Sequence, residues 1–390
     1  MNLLYLYTDH FQNFDFLLAL RQTEHSIDTF DTPFMTYEPD EALLTQLDSL
    51  LVTNSYDAVI NFGYVPYISN LCNNHNVPYI SWTYDSILHS LYNNSIENNC
   101  NVFFVYDKDE YTYLKEHFTI PNLFYLPLAA NTERIQSIRA NDDAIRHYSY
   151  DVSFVGDLYQ QNTYVDLEPI LSLEERDYFE QAFSYFHGVW GGDSIYDWFS
   201  KADADYLQQR LPAYLKNDER MPNQRYFADI LLSKPIACRE RIDMLNRLAK
   251  KHSVRLYHKN STDISVLHNV DCHPSVNYYD AMSVAFKHSK INLNITLHGM
   301  RSGIPLRCFD VMAAGGFLLT NYQSDFDELF TENKDCVIYR NLSELEDKVT
   351  YYLQHDIERK HIAINGFDTI CKHHTYQQRV SSILAIITNL

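Results

Sequence analysis

The stretch INLNITLHGMRSGIPLRCFDVMAAGGFLLTN, residues 291–321, changes character twice. Ile291 to Ile295 is a short apolar run of the kind that forms a buried strand. Ten residues then bring a His, an Arg, two glycines and a proline before the pattern becomes amphipathic again, and FLLTN (317–321) is a second strand. Strand, polar loop, helix, strand is the layout in which an open α/β sheet holds a ligand, beyond the carboxyl ends of its strands and beside a helix start. Pro305 suits a first helical turn, because its missing N–H would be unpaired there anyway. Gly299 and Gly303 permit close backbone approach, which would leave amides at the helix start free to meet a phosphate. Arg301 and Arg307 add guanidinium groups matched to phosphate oxygens, and Asp310, one turn after Arg307, suits a sugar diol. These residues describe a nucleoside diphosphate site. They also fit a plainer reading, in which Arg307 and Asp310 are an exposed helix pair and Gly315-Gly316 ends the helix.

Working outward, the first part alternates short strand-like runs with helical stretches: 3–8, 57–63, 77–82, 101–107 and 122–129, then 151–157. That spacing argues for βαβ units and a parallel sheet. Residues 158–235 break the alternation and are rich in aromatics at helical spacing, so they read as a helical insertion. A long helix from Arg225 to Lys251 with a break at Pro235 is expected to follow, and then a strand at 254–258. Further on come a strand at 337–341 and two helices, with Ser343 and Glu346 at capping-box spacing and Gly366 at a helix end or bend. The expected domains are 1–137, 138–370 with the insertion, and a C-terminal helix at 371–390.

The chain has 390 residues and a net charge of −20, which repels nucleic acid and anionic bilayers at long range. Residues 1–137 hold 4 Lys and Arg against 17 Asp and Glu, so no basic patch for lipid headgroups is expected there. The first residues fit a buried strand better than a signal peptide, and no segment reaches the ~20 apolar residues of a membrane helix. Seven scattered cysteines without a C-x-x-C pair suit reduced thiols in a cytoplasmic protein. The DAD at Asp203–Asp205 lies in a helical pattern and reads as a solvated face rather than a metal pair. Cys272 and His273 are adjacent, without metal-ligand spacing, and no metal is expected.

The run SKINLNIT…MRSGIPLRCFDVMAAGGFLLTN, continued by VTYYLQHDIERKHIAINGF and HTYQQR, resembles the spore-maturation CgeB-like glycosyltransferases, relatives of the group 1 transferases. ISWTYDS (80–86) and YLPLAAN (125–131) look like elements of the N-terminal domain that accompanies that family. The resemblance implies a GT-B fold, with two Rossmann-like domains facing a cleft and a helical insertion in the second. The second domain would hold a nucleotide sugar, with a UDP-sugar favoured and no other cofactor. The first would hold an acceptor, which is a protein, a glycan or a small molecule. Asp310 takes the place of the ribose-binding carboxylate. Arg241, in CRERIDML, matches a family arginine and is a second candidate for the diphosphate, with a helix-surface charge as the alternative. With them, His298, Gly299, Arg301, Ser302, Gly303, Ile304 and Arg307 form the expected donor site.

The wider group 1 pattern, E-x7-E, fails at one end, because eight residues before Asp310 stands Ser302. The resemblance implies transfer with retention; Arg241, Arg301 and Arg307 would stabilise the leaving diphosphate, and a polar side chain assisting the acceptor would come from first-domain loops, Asp85 and His89 as first choice and Asp9 and His10 as second, with a structural role as the alternative for each histidine. Two other readings stay open: a sugar-nucleotide-binding or surface-assembly protein with little or no turnover, and a GT-B sugar-nucleotide epimerase.

Overall fold

The computed structural model describes residues 1–8, 11–32, 39–217 and 220–389. They form two compact units. The first comprises Met1–Ala130, Ser302–Leu306 and His373–Leu390, the second Asn131–Arg301 and Arg307–Lys372. Each is built on a six-stranded sheet whose pairings are all parallel.

In the first unit the strands are β1 (Asn2–Thr8), β2 (Ser26–Thr32), β3 (Ala58–Phe62), β4 (Tyr79–Trp82), β5 (Asn101–Val105) and β6 (Leu123–Tyr125), in the order β2-β1-β3-β4-β5-β6. Every residue of β3, β4 and β5 is buried, as expected of parallel strands covered on both faces. The edge strand β2, SIDTFDT, is largely exposed and carries two aspartates, and for that reason it has no apolar run to betray it. The helix Tyr376–Ile387 completes this unit. Thr375 and Gln378 close its start with a capping box, and Arg379 donates to the carbonyls of Pro127, Leu128 and His373. Burial lowers the pKa of that guanidinium to about 10.

The second unit contains β7 (Val152–Val155), β8 (Val254–His258), β9 (Val270–Pro274), β10 (Ile291–Asn294), β11 (Leu318–Asn321) and β12 (Val337–Tyr339). Their order, β12-β11-β10-β7-β8-β9, is doubly wound and reverses direction between β7 and β10. Between β7 and β8 runs the helical insertion, with helices Thr163–Leu167, Leu173–Phe186, Lys201–Arg210 and Asn223–Ala228 around a core of Tyr164, Phe179, Phe183 and Phe199.

Several local expectations need correction. The long helix does not break at Pro235 but just before it: Asp229–Ser233 is a π-turn, and the helix Lys234–Ala249 opens with the proline in its first turn, where the missing N–H costs nothing. The helix Leu342–Gln354 is capped by Asn341, whose side chain accepts the Glu344 N–H at 2.9 Å, and not by Ser343. Gly366 lies inside the helix Asp356–His373, where a Cβ would stand 2.4 Å from the Asp335 carbonyl oxygen, so close approach explains it and a bend does not. The segment around Cys272 forms the edge strand β9. Asp203 caps the helix Lys201–Arg210 through Ser200, which gives it a structural task.

Candidate functional site

In the second unit the crevice at the carboxyl ends of β7 and β10 is the place where a doubly wound sheet presents room for a ligand. A buried arginine occupies its floor. Arg241 reaches from the helix Lys234–Ala249 and donates through its two terminal nitrogens to the carbonyls of Asp157, just after β7, and Ile295, just after β10. Its guanidinium lies over the rings of Phe154 and Tyr159, at 5.2 and 4.5 Å, and its buried Nε has no hydrogen-bond partner. Asp157 receives Lys259 at 2.8 Å and the Tyr159 N–H at 3.0 Å. Burial raises this carboxyl, but those bonds and the charges of Lys259 and Arg241 outweigh it, so its pKa lies below the ordinary value.

The end of β10 is polar although buried. Asn294 donates to Thr296 Oγ1 and Thr320 Oγ1 at 2.9 and 3.0 Å, and the Thr296 N–H donates to Asn321 at 2.7 Å. These bonds fix the direction in which the chain leaves the sheet. His298 follows, its Nε2 2.9 Å from Glu240, a fully buried carboxylate that also accepts the Gly188 N–H at 2.8 Å. The His298 ring stacks on Trp190 at 5.9 Å. The Gly299 N–H is taken by Ser233 Oγ and its carbonyl accepts from Tyr196, so this amide is engaged within the protein and does not wait for a phosphate. Arg301 is exposed.

The helix Leu306–Ala313 starts just after Pro305 and ends in a Schellman-type turn, with Gly315 at φ +75° and the Gly316 N–H bonded to the Val311 carbonyl. Asp310 is buried on this helix, and the Tyr278 hydroxyl donates to it at 3.4 Å. Tyr278 in turn carries Arg134 on its face at 4.7 Å. Arg307 is turned to the helix Ala281–His288, over the Phe286 ring and against Met282. Cys308, between them, is fully buried, which pushes its thiol up to about 12 and suits it to packing alone.

Ser302, Gly303 and Ile304 belong to the first unit. Ser302 Oγ donates to Asp107 at 2.7 Å and accepts the Asp109 N–H at 2.8 Å, at the start of the helix Lys108–His117. Asp107 also caps that helix and accepts from Ser86 at 2.8 Å. A carboxylate in place of Ser302 would face another carboxylate, which gives the departure from E-x7-E a local physical reason. A Cβ on Gly303 would stand 2.8 Å from Tyr106 and 2.9 Å from Asp107, so only glycine fits, and Ile304 is buried beside it. Asp85 is exposed and His89 half-buried, in the same β4 loop as Ser86. Asp9 and His10 lie outside the described residues. Among the described residues no three His, Cys, Asp or Glu side chains gather as metal ligands, and no helix is long and apolar enough to cross a membrane.

Glu240, Asp107 and Tyr278 were not singled out from the sequence. Glu240 left a trace, since it falls four residues before the buried Met244 on the apolar stripe of its helix. Asp107 left none, whereas Tyr278 falls in DCHPSVNYYD (271–280), a segment that the sequence already offered as packing near the nucleotide.

Residues 239–385, which take in most of the crevice helix, the β10 loop and most of the last helix, match the family model described as glycosyl transferase-like. No curated protein sequence matches the chain. Solved structures do. HepE from Anabaena, solved with UDP-glucose, superposes with a TM-score of 0.58 at 9% identity over 100% of both chains. A sucrose-phosphate synthase from Thermosynechococcus elongatus gives 0.55 at 8% identity over 100% of both. A glycosyltransferase from Rickettsia africae gives 0.54 at 9% identity, over 100% of this chain and 98% of its own. At such identities the likeness is one of fold: the protein has the α/β GT-B fold of glycosyltransferases, and its residues 239–385 are glycosyl transferase-like in sequence.

Proposed function

We propose that this protein is a glycosyltransferase of the CgeB-like kind, moving a sugar from a nucleoside diphosphate sugar, with a UDP-sugar favoured, to an acceptor hydroxyl. The observation that carries the reading is that two charged groups are buried in the second unit, Arg241 on the floor of the β7/β10 crevice and Asp310 on the helix after β10. The glycosyl transferase-like match spans both residues, and HepE, of the same fold, was solved with UDP-glucose. In this reading Asp310 exchanges the Tyr278 hydroxyl for the ribose diol, a stronger partner for a buried carboxylate because it offers two donors. Arg241 sets a positive potential where the diphosphate gathers charge as the glycosidic bond breaks. A preorganised cation there stabilises the leaving group without reorganising during the reaction. Arg307 holds the helix that carries Asp310.

The reaction proceeds with retention and needs neither a metal nor any cofactor beyond the sugar nucleotide. The acceptor proton passes to the departing phosphate, and Asp85 and His89 of the first unit orient the acceptor. The location is cytoplasmic. A sugar-nucleotide-binding protein without turnover, and an epimerase, are the competing readings.

Incubation with UDP-, GDP- and dTDP-sugars, followed by nucleotide release and by the mass added to an acceptor, separates the three. Release coupled to hexose addition is expected. Binding without release favours the inactive protein, and isomerised sugar nucleotide without acceptor favours the epimerase.

A further inference from the structure

On the other side of β10 from the crevice, the second unit holds a separate pocket of about 260 Å³. Its walls come from three places: Trp190 to Ser194 of the insertion, Leu297 to Arg301 after β10, and Tyr322 to Ser324 after β11. Neither Arg241 nor the turns that directly follow β7 and β8 contribute, so it is not the crevice floored by Arg241. We propose that this pocket binds a single neutral hexose ring, free or at the end of a glycan, independently of the nucleotide.

Its walls are fixed before any ligand arrives. The Trp190 N–H donates to the Arg340 carbonyl at 2.9 Å, and Gly188 is tied to Glu240. Gln323 Nε2 donates to the Met300 carbonyl at 2.8 Å, joining the β10 and β11 loops. Gly191, at φ +82°, lies so close to Tyr322 that a Cβ would be 2.7 Å from the ring, and Arg340 stacks on Tyr322 at 4.6 Å. Such preorganisation reduces the ordering cost of binding.

The polar groups that face this space mix signs. The exposed Asp193, bonded to the Tyr185 hydroxyl, and the exposed Arg301 stand with Ser194 and Gln323. Behind them, Trp190 Nε1 and Glu240 Oε2 are buried without hydrogen-bond partners, an uncommon state for such atoms. Aromatic walls suit the C–H faces of a sugar ring, while a carboxylate and a guanidinium each engage vicinal hydroxyls through paired bonds. A space of about 260 Å³ accommodates a single sugar ring. Asp193 would repel a phosphate.

The test is titration of the full chain with glucose, galactose, N-acetylglucosamine and their disaccharides, by calorimetry and by saturation-transfer NMR, with and without saturating UDP. The expected result is saturable binding of at least one sugar. Asp193→Ala and Gln323→Ala should each weaken it by about fivefold or more, with an unchanged circular-dichroism spectrum. UDP should leave the affinity unchanged. Absence of saturable binding, wild-type affinity in both variants, or competition by UDP overturns the proposal. A failure of UDP itself to bind would count against the nucleotide reading and leave the sugar result interpretable.

Discussion

The carboxyl ends of the two sheets share an architecture and differ in what fills them. In the first unit the last residues of β3 and β4, Phe62 and Trp82, join Phe16 and Tyr376 in an aromatic cluster, with ring centroids 5.0 Å apart for Phe62 and Trp82 and 5.9 Å for Trp82 and Tyr376. All four are buried, and the indole N–H is satisfied by the Leu126 carbonyl. In the second unit the same end of the sheet carries Arg241, Glu240, Asn294, Thr296 and Asn321, equally buried but charged or polar. An aromatic plug closes a crevice and stabilises the fold. Buried charges and amides are costly to keep unless bonded, and here they are bonded largely to main-chain groups that shape the crevice. Under the proposed function, the nucleotide chemistry belongs to the second unit.

This contrast can be broken by substitution. Trp82→Ala should cost roughly 3–5 kcal/mol in chemical denaturation, since it opens a cavity in the plug, and should leave nucleotide affinity nearly unchanged in the protein that stays folded. Ser302→Glu restores the acid of the wider pattern but sets it against Asp107, and it should destabilise by about 3 kcal/mol without improving turnover. Arg241→Met leaves the Asp157 and Ile295 carbonyls without their donor, at about 1–3 kcal/mol, and should abolish measurable nucleotide binding in calorimetry. Asp310→Ala should weaken nucleotide binding about tenfold with little change in melting temperature.

The smallest effect concerns acid. The Asp157 carboxyl has a folded pKa below its unfolded value, so its contribution is complete above about pH 4 and fades as pH falls through the folded pKa. Asp157→Asn removes that dependence, and the variant's stability should fall less steeply with acid than the wild type's.

Much of the topology could be read from the chain, because the central parallel strands are continuous apolar runs separated by helical stretches. The edge strands β2 and β9 could not, since SIDTFDT and VDCHP carry the charges that an exposed edge tolerates. The stretch that opened the reading proved polar even within its strand: Asn292 and Asn294 are buried and bonded. Arg241 and Asp310 were visible as charged residues in helical pattern, yet their burial is a tertiary fact. The role of Ser302 depends on Asp107, 195 residues earlier, and no local pattern reports such a pairing. The sequence put a break at Pro235, whereas the irregularity is the π-turn Asp229–Ser233 before it, a run that carries no proline or glycine to announce it.

Hydrogen exchange measured by mass spectrometry, with and without UDP, locates the nucleotide on the chain. Binding at the crevice of the second unit predicts slowed exchange at residues 156–160, 277–280, 295–299 and 306–313, with the β3 and β4 ends of the first unit unchanged. Protection confined to the first unit, or none at all under saturating UDP, would contradict it.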